Sequence, residues 1–440
     1  MKKREILQLL LFIISLGIFE KAHAQAKNDF GFQVISEDGA WCWFADPRAV
    51  YHKGEKERIY YGYINTLGDV VISARDVKTK EVKTFVLHEK LQVDDHNVPS
   101  ILFLPDGKIL VFYTEHGGRF FMRQSRHAEE INEWEEEKVL SFGMAEKRIC
   151  YSHPVMLSRE NQRIYMFYRA VVPGESYADW GQYYSYSDDK GKTWADGSYL
   201  INSKNFNNPV YLKVSSDNKS RIDILFTDGH PKIGPASVYH MYYEKGVFHK
   251  TNGDRIASMG EVPISPGQVS KVYDVTMNKT KSWIWDIALD KKRRPVVAYT
   301  RYPDETDHRY HYAQWDGKQW LDEEVTKAGG MITVLKPGET VEEGHYSGGI
   351  VMDHNDPSNV YLARQVNGIF EIEHWKRKGK KWETTPITRS SKSNNLRPYV
   401  VAHYPGKNPI VLWMNGFYNH YTKFNTVLLI NEPLSKKAPE

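Results

Sequence analysis

Short runs of apolar, β-branched and aromatic residues, separated by polar turns, recur along almost the whole chain. The segment from Val98 to Thr114 shows the pattern: two such runs flank the turn Pro105-Asp106-Gly107. Runs of this kind between turn-forming residues predict β-strands joined as hairpins. Because no long stretch rich in Ala, Leu, Glu and Lys interrupts them, the sequence predicts an all-β fold.

The hairpin pattern occurs seven times, which indicates an internally repeated structure. The repeats begin near Arg58, Val98, His153, Asn208, Trp285, His345 and Arg397. Each has room for three or four strands, and such repeats are typical of β-propeller blades, which bury their faces against one another. We therefore expect a seven-bladed β-propeller, with six or eight blades as alternatives, formed as a single domain by residues 25–440.

A second motif supports this architecture. Ser187 to Trp194 reads SDDKGKTW and matches the Asp-box pattern S-x-D-x-G-x-T-W, a hairpin turn shaped by Asp and Gly. Weaker versions occur at residues 315–320 and 378–382. The Asp-box is a structural motif and identifies the fold without indicating the chemistry. We expect the strand Phe424–Ile430 to share a blade with N-terminal residues, and the long segment between Gly246 and Lys281 to form a surface flap.

The N-terminus has the features of a targeting segment. Met1–Arg4 is basic, Ile6–Ile18 is almost wholly apolar, and Ala22-His23-Ala24 fits a signal-peptide cleavage site. The apolar run is too short to span a bilayer comfortably, and no later run reaches its length. The sequence predicts a signal peptide at residues 1–24, a mature chain from about Gln25, and a secreted or periplasmic monomer without a membrane span.

Charge and cysteine content narrow the possible partners. The formal net charge is +4, and no basic tract is present, so nucleic acid is not an expected partner. The two cysteines, Cys42 and Cys150, are compatible with one disulfide or with two buried thiols.

The propeller geometry groups polar residues that are distant in the sequence. Residues just before the first strand of a blade and just after its second strand meet at the same mouth of the central channel. This rule brings His96, Asn97 and His116 from one blade close to Tyr151, Ser152, His153 and Arg169 from the next. Later repeats add Asn207, Asn208, Tyr211, Asp228, His230, Trp285, Asp286, Arg301, His345, Tyr346, Asn395 and Arg397.

The residue types at this mouth favour one kind of reaction. A typical glycosidase needs two carboxyl groups that flank the bond, but Asp94 and Asp95 are adjacent and would point in opposite directions in a strand. Imidazole, phenol and guanidinium groups instead suit β-elimination on a uronic acid. There a cation offsets the C6 carboxylate, a base removes the C5 proton and an acid protonates O4. The sequence therefore predicts a polysaccharide lyase that acts on an acidic polysaccharide and requires no cofactor for its chemistry.

Several segments resemble a known family. GAWCWFADPRAV (Gly39–Val50), DDHNVPSI, YTEHGG, FYRA and TDGHP are similar to segments of the secreted BNR-repeat proteins that include the propeller-type ulvan lyases. The resemblance covers nearly the whole mature chain. It implies a lyase acting on ulvan, a sulfated polymer of rhamnose and uronate, that leaves 4,5-unsaturated uronate ends.

The resemblance also implies roles for individual residues. His96 and Tyr151 would be the base and the acid, with His153 as the alternative to Tyr151. Arg169 and His116 would hold the uronate carboxylate. Tyr211, Asn97 and His153 complete the expected substrate-binding set.

Other interpretations remain open at this stage. A propeller glycoside hydrolase that releases rhamnose linked to glucuronate, or a carbohydrate-binding propeller without activity, would use a similar mouth. A sialidase is disfavoured because no Arg-Ile-Pro segment occurs near the N-terminus. Asp228 and His230 are weak candidates for holding a structural metal ion, since a zinc site needs three or four ligands.

Overall fold

The computed structural model describes residues 31–144, 148–172, 174–176, 179–202, 209–335, 337–340 and 343–433. Seven antiparallel sheets follow one another in chain order, so the chain forms a single seven-bladed β-propeller, as predicted. The proposed signal peptide, together with Asn207 and Asn208, lies outside the described residues. No helix within these ranges is long and apolar enough to cross a membrane.

The first three blades each contain four strands in chain order. Blade one consists of β2 (Ala49–Lys53), β3 (Glu57–Ile64), β4 (Val70–Asp76) and β5 (Val82–His88). Blade two consists of β6 (Ser100–Phe103), β7 (Ile109–Thr114), β8 (Phe120–Gln124) and β9 (Lys138–Leu140). Blade three consists of β10 (Arg148–Leu157), β11 (Arg163–Val171), β12 (Gly181–Ser187) and β13 (Ser198–Ile201).

The next three blades include the one enlarged sheet among those described. Blade four consists of β14 (Tyr211–Ser216), β15 (Arg221–Thr227), β16 (Val238–Glu244), β17 (Val247–Lys250), β18 (Arg255–Ser258) and β19 (Ser270–Tyr273). Blade five consists of β20 (Lys281–Leu289), β21 (Pro295–Tyr302), β22 (His308–Trp315) and β23 (Trp320–Gly329). Blade six consists of β24 (Ile350–Met352), β25 (Asn359–Val366), β26 (Ile369–Lys378) and β27 (Lys381–Pro386).

Blade seven joins the two ends of the chain. It consists of β28 (Asn395–Val400), β29 (Val411–His420), β30 (Lys423–Pro433) and, on its outer edge, β1 (Phe32–Ser36). The expectation that the C-terminal strand shares a blade with N-terminal residues is confirmed by the pairing of β30 with β1. Helical structure is limited to α1 (Val275–Asn278) and the 3-10 turns Asp95–Asn97, Met259–Glu261 and Pro266–Gln268 among the described residues.

The first strands of the blades surround the central channel. Blade seven meets blade one through backbone hydrogen bonds that Ala402 makes with Ala49 (3.0 Å) and Tyr51 (2.9 Å), which closes the ring. Each blade is covered on both faces by its neighbours, so its second strand is apolar on both sides; β21, with the sequence PVVAYTRY, is almost wholly buried. The outer strand β27, KWETTP, is mostly exposed.

Two expectations about the repeats are wrong. The repeat placed at Arg58 begins one strand late, because the inner strand of blade one is the short AVYHK segment at Ala49–Lys53, which ends in polar residues. The segment between Gly246 and Lys281 is not a surface flap. It contributes β17, β18 and β19 to blade four, where Phe248 and Ala257 are buried in the core.

A buried segment, residues 40–45, crosses the central channel. The Trp41 indole donates to the carbonyl of Arg397 (3.1 Å) in blade seven, and the Trp43 indole donates to that of Ile284 (3.2 Å) in blade five. The channel is thereby divided into two cavities that share Trp43 as a wall. One, of about 360 Å³, lies at the starts of the inner strands, and the other, of about 930 Å³, lies at their ends.

Candidate active site

The smaller cavity contains a stacked pair of histidines. The rings of His96 and His116 are almost parallel, with centroids 4.1 Å apart. The Nδ1 atom of each lies 2.7 Å from a different carboxylate oxygen of Asp94. Asp94 also caps the 3-10 turn that carries His96, since its side chain accepts a hydrogen bond from the His96 backbone nitrogen (2.9 Å). This arrangement leaves Nε2 of each ring as the nitrogen that can exchange a proton with a ligand.

The electrostatic surroundings give the two imidazoles different charges. Burial opposes the charged form of His96, but negative charge at Cys42 and Asp94 and contacts with both aspartates hold its pKa well above the usual 6.5. Burial also raises the pKa of the Cys42 thiol, so near pH 7 the aspartates supply this charge. Burial and the charge of His96 lower the pKa of His116. The pair therefore carries one proton near neutral pH, held mainly on His96.

Tyr151 lies beside the histidine pair on the wall formed by blade three. Its ring centroid is 5.6 Å from that of His96 and 4.9 Å from that of Phe44. The backbone of Tyr151 has a φ of 62°, a left-handed conformation at the bulge between Cys150 and His153. Burial raises the pKa of the Tyr151 phenol well above 10, with Tyr211 as the next cause, so the phenol is protonated over the physiological range.

Arg169 is buried behind the tyrosines. Its guanidinium carbon lies 4.1 Å from the ring centroid of Tyr211, 4.5 Å from that of Trp180 and 5.6 Å from that of Tyr151. Arg169 itself is not part of the cavity lining. Its positive charge nevertheless acts on the cavity, where it favours a negatively charged ligand.

The far wall of the cavity comes from blades four, five and six. His230 packs against Trp283 and His345, with a centroid separation of 4.6 Å in each case. Lys232 donates to Glu343 (3.0 Å), which also lines the cavity. Burial, then neighbouring positive groups, lowers the pKa of both His230 and His345 well below 6.5, so both rings are neutral near pH 7.

The structure brings most of the expected residues together. Six of the residues that the sequence assigned to the mouth line the smaller cavity: His96, His116, Tyr151, Tyr211, His230 and Tyr346. Asn97 lies one layer behind it and donates to the side-chain oxygen of Gln92 (3.2 Å). The same oxygen accepts from the His116 backbone nitrogen (2.8 Å), so Asn97 and Gln92 support the loop that carries His116.

Other expected residues lie elsewhere. His153 does not line the smaller cavity; it accepts a hydrogen bond from the Asp46 backbone nitrogen (3.4 Å) below the crossing segment. Asp228 accepts from Ser237 and Tyr239, both at 2.8 Å, and is not grouped with His230 as a ligand set. No group of three or more possible ligands among the described residues includes Asp228, and a metal site with Asp228 and His230 stays a prediction.

The remaining mouth residues are mainly structural. Trp285, Asp286 and Arg397 line the larger cavity at the other end of the channel. The expected position of Trp285 and Asp286 was wrong because β20 begins at Lys281, which places both residues halfway along the strand. Arg301 pairs with Asp322, and Asn395 bonds to Trp413 and Asn415 within blade seven.

Sequence reasoning missed several residues of the cavity. Phe44, Lys232, Trp283, Glu343 and Tyr421 all line it. Tyr421 lies in the β29–β30 turn and packs edge-on against both rings of the histidine pair, at 4.7 and 5.1 Å. Of these residues, Lys232 could have been identified from the sequence, because it lies two residues after His230, which was assigned to the mouth. Both cysteines, Cys42 and Cys150, are free buried thiols.

Solved structures with the same propeller fold include polysaccharide lyases. A PL25 ulvan lyase bound to -[GlcA(1-4)Rha3S]- is similar with a TM-score of 0.67 and 14% identity, covering 90% of this chain and 94% of that chain. The polysaccharide lyase Uly1 is similar with a TM-score of 0.56 and 12% identity, covering 93% and 94%. At these identities the likeness establishes the fold alone. No curated protein matches the sequence.

A family model identifies the repeats directly. The model described as a BNR repeat-containing family member matches residues 58–328. This match begins in the second strand of blade one, ends in the last strand of blade five and covers more than half of the chain. The chain therefore belongs to the BNR repeat-containing family.

Proposed function

We propose that the protein is a polysaccharide lyase that cleaves ulvan, a uronate-containing sulfated polymer, by β-elimination. The observation that carries the proposal is the Asp94-bridged pair of His96 and His116, which faces the protonated phenol of Tyr151 in one cavity. The fold shared with two polysaccharide lyases supports a polymeric sugar as the substrate. Such a substrate agrees with the signal peptide expected from the sequence and with action in the periplasm or outside the cell.

The histidine pair supplies the base. Elimination needs a neutral imidazole near C5, and a cation near the C6 carboxylate to make the C5 proton sufficiently acidic. His96 contacts two aspartates and holds the shared proton, whereas His116 contacts one and is neutral. We therefore assign proton removal to Nε2 of His116 and carboxylate binding to the His96 cation, the reverse of the roles that the family resemblance implies.

Tyr151 supplies the acid. Its phenol is protonated, lies beside the histidine pair and is not a donor in any described hydrogen bond, so it can donate to O4 as the C4–O4 bond breaks. Arg169 lies behind it and adds positive charge that stabilises the carboxylate as negative charge accumulates during proton removal. Both groups would act from the side of the cavity formed by blade three.

A hydrolase is less compatible with this cavity. Among the described residues that line it, Glu343 is the one carboxylate, and Lys232 already binds it. A typical glycoside hydrolase needs a second carboxyl group across the bond. Asp94 does not fill that role, because both of its oxygens bind the histidines.

Incubation of the protein with ulvan tests the proposal. The expected result is a growing ultraviolet absorbance from 4,5-unsaturated uronate ends. Tyr151→Phe should reduce the rate by roughly 100-fold or more, because it removes the proposed acid without changing the packing. Tyr186→Phe, a partly exposed tyrosine on β12, is the matched control and should retain full activity. Release of free rhamnose without new absorbance would contradict the proposal.

A further inference from the structure

Asp94 alone does not determine which of the two stacked histidines carries the shared proton. It contacts Nδ1 of His96 and Nδ1 of His116 at the same distance, 2.7 Å. Burial favours the opposite choice, because the His96 side chain is 8% exposed, that of His116 is 29% exposed, and a charged ring is less stable where it is more buried. A further interaction must therefore hold the proton on His96.

Asp95 provides that interaction. Its side chain is fully buried, and its Oδ1 atom lies 3.2 Å from Nδ1 of His96. This oxygen has no hydrogen-bond partner among the described residues, and no described ion pair joins Asp95 to His116. A buried carboxylate oxygen without a donor is unfavourable unless positive charge lies nearby. Asp95 therefore favours a charged ring at His96 and does not act equally on His116.

Blade seven holds Asp95 in this position. The second carboxylate oxygen of Asp95, Oδ2, accepts hydrogen bonds from Nη1 of Arg397 (2.5 Å) and from the hydroxyl of Tyr418 (2.6 Å). The Asp95 backbone nitrogen donates to the carbonyl of Tyr421 (3.0 Å). These three contacts fix the carboxylate, so its Oδ1 atom stays beside His96.

We propose that Asp95, held by blade seven, is a positioning residue that places the shared proton on His96 and leaves His116 as the base. Asp95 and Tyr418 do not line the smaller cavity, and Arg397 lines the larger one, so all three act on the substrate through His96. The consequence for catalysis rests on the proposed function, whereas the difference in charge between the two rings does not.

Other groups around the pair do not account for the choice. The positive charge of Arg169 disfavours a proton on His116, but burial and the charge of His96 disfavour it more strongly. The charge of Arg397 is offset by the Asp95 carboxylate that it contacts. The remaining titratable groups around the pair are Cys42, Cys150, Tyr151, His230, Tyr418 and Tyr421. Burial raises the pKa of both thiols and of the Tyr151 and Tyr418 phenols and lowers that of His230, so these five groups are uncharged near pH 7.

NMR of protein labelled with nitrogen-15 in its histidine rings tests the inference. The ring nitrogens distinguish a charged imidazole from a neutral one, and spectra of His96→Gln and His116→Gln assign the two rings. In the wild type at pH 7, His96 should be charged and His116 neutral. In Asp95→Asn, which keeps the side-chain volume and removes the charge, the pKa of His96 should fall by about one to two units. The loss of kcat/KM on ulvan at high pH should then begin at a correspondingly lower pH.

Two further variants make the result specific. Tyr418→Phe removes a hydrogen bond from the same cluster but keeps the Asp95 charge and its contact with Arg397, so the pKa of His96 should stay within about half a unit of the wild-type value. Asp286→Asn changes a carboxylate that pairs with His354 (2.9 Å) at the larger cavity and should leave the titration of both rings unchanged. Near-ultraviolet circular dichroism checks that each variant is folded.

The wild-type spectrum tests the inference even without a folded variant, because a neutral His96 at pH 7 would overturn it. A His96 pKa that is unchanged in folded Asp95→Asn, or that falls equally in Asp95→Asn and Tyr418→Phe, would also overturn it. If the wild type does not cleave ulvan, the proposed function fails, and the NMR titration still decides whether Asp95 places the proton on His96.

Discussion

At the residue scale, Asp94 determines what the candidate site can do. One carboxylate fixes the orientation of two imidazoles and caps the turn that carries one of them. Its negative charge stabilises a single proton on the pair, so one ring remains neutral while the other is charged. The sequence showed that His96 and His116 meet, because a hairpin of two strands and a short turn separates them. It did not show that Asp94 joins them, since the side chains of Asp94 and Asp95 were expected to point in opposite directions, as they would in a strand.

The first prediction concerns the pH dependence of activity. The groups that face the pair are Asp94, Asp95, Cys42, Tyr151, Arg169 and Tyr421. When His116 also binds a proton, the pair no longer contains a base. Because the pKa of His116 is lowered below the usual 6.5, kcat/KM should fall at a pH below about 6.5. Loss of the proton from His96 removes the cation, so activity should also fall well above pH 6.5. A bell-shaped profile measured on ulvan is therefore expected, and a profile that is flat from pH 5 to 9 would exclude the shared proton.

The second prediction is the effect of Asp94→Asn. Removal of the negative charge destabilises the His96 cation, so the alkaline limb should move to lower pH by about one to two units. Activity at pH 7 should fall at least about tenfold. Asp228→Asn is the control, because Asp228 bonds to Ser237 and Tyr239 outside the cavity and should leave the profile unchanged. An alkaline limb that does not move in Asp94→Asn would show that Asp94 does not hold the proton on the pair.

At the scale of structural elements, the crossing segment of residues 40–45 organises the channel. It separates the two cavities and connects blades one, five and seven. Trp43 stacks on Trp285, with centroids 4.5 Å apart, and forms a wall of both cavities. The sequence contains several aromatic residues here, but it did not predict their path across the channel, because a nonrepetitive segment carries no periodic signal.

The third prediction tests this segment. Trp43→Ala should lower the free energy of unfolding by about 3–5 kcal/mol, since it leaves a cavity and removes the hydrogen bond to Ile284. Trp315→Ala is the control at the end of a strand in blade five and should cost about 1 kcal/mol. Denaturant unfolding followed by tryptophan fluorescence measures both values. Equal small losses would show that the segment does not support the fold.

At the scale of the whole molecule, the repeat pattern predicted the seven blades because each blade reproduces the same sequence of strands and turns. Positions along the inner strands were less predictable. His153 and Trp285 were assigned to the mouth, but β10 and β20 begin several residues earlier, which moves both residues down the channel. Lys232, Glu343 and Tyr421 come from loops whose paths depend on packing between blades, and no local pattern encodes that packing.

The fourth prediction concerns stability in acid. Burial lowers the pKa of His153 to about 3, with Asp46 opposing that shift. In the unfolded chain His153 binds a proton near pH 6.5, whereas in the folded chain it does not. Its contribution to the free energy of unfolding is therefore complete above pH 6.5 and is lost as the pH falls toward 3. The loss attributable to His153 is roughly 3–5 kcal/mol. His153→Gln should flatten the curve of unfolding free energy against pH in this window, and an unchanged curve would contradict the assignment.

Product analysis of ulvan digested in oxygen-18 water tests the central claim most directly. Elimination breaks the C4–O4 bond without adding water, so the account predicts unsaturated products that carry no oxygen-18 at the cleaved bond. Hydrolysis would add one labelled oxygen per cleaved bond, at one of the two new ends, and leave no double bond. Mass spectrometry separates the two outcomes. Labelled saturated ends, or an ulvan sample that stays intact, would contradict the assignment of the Asp94-bridged histidine pair and Tyr151 to a lyase.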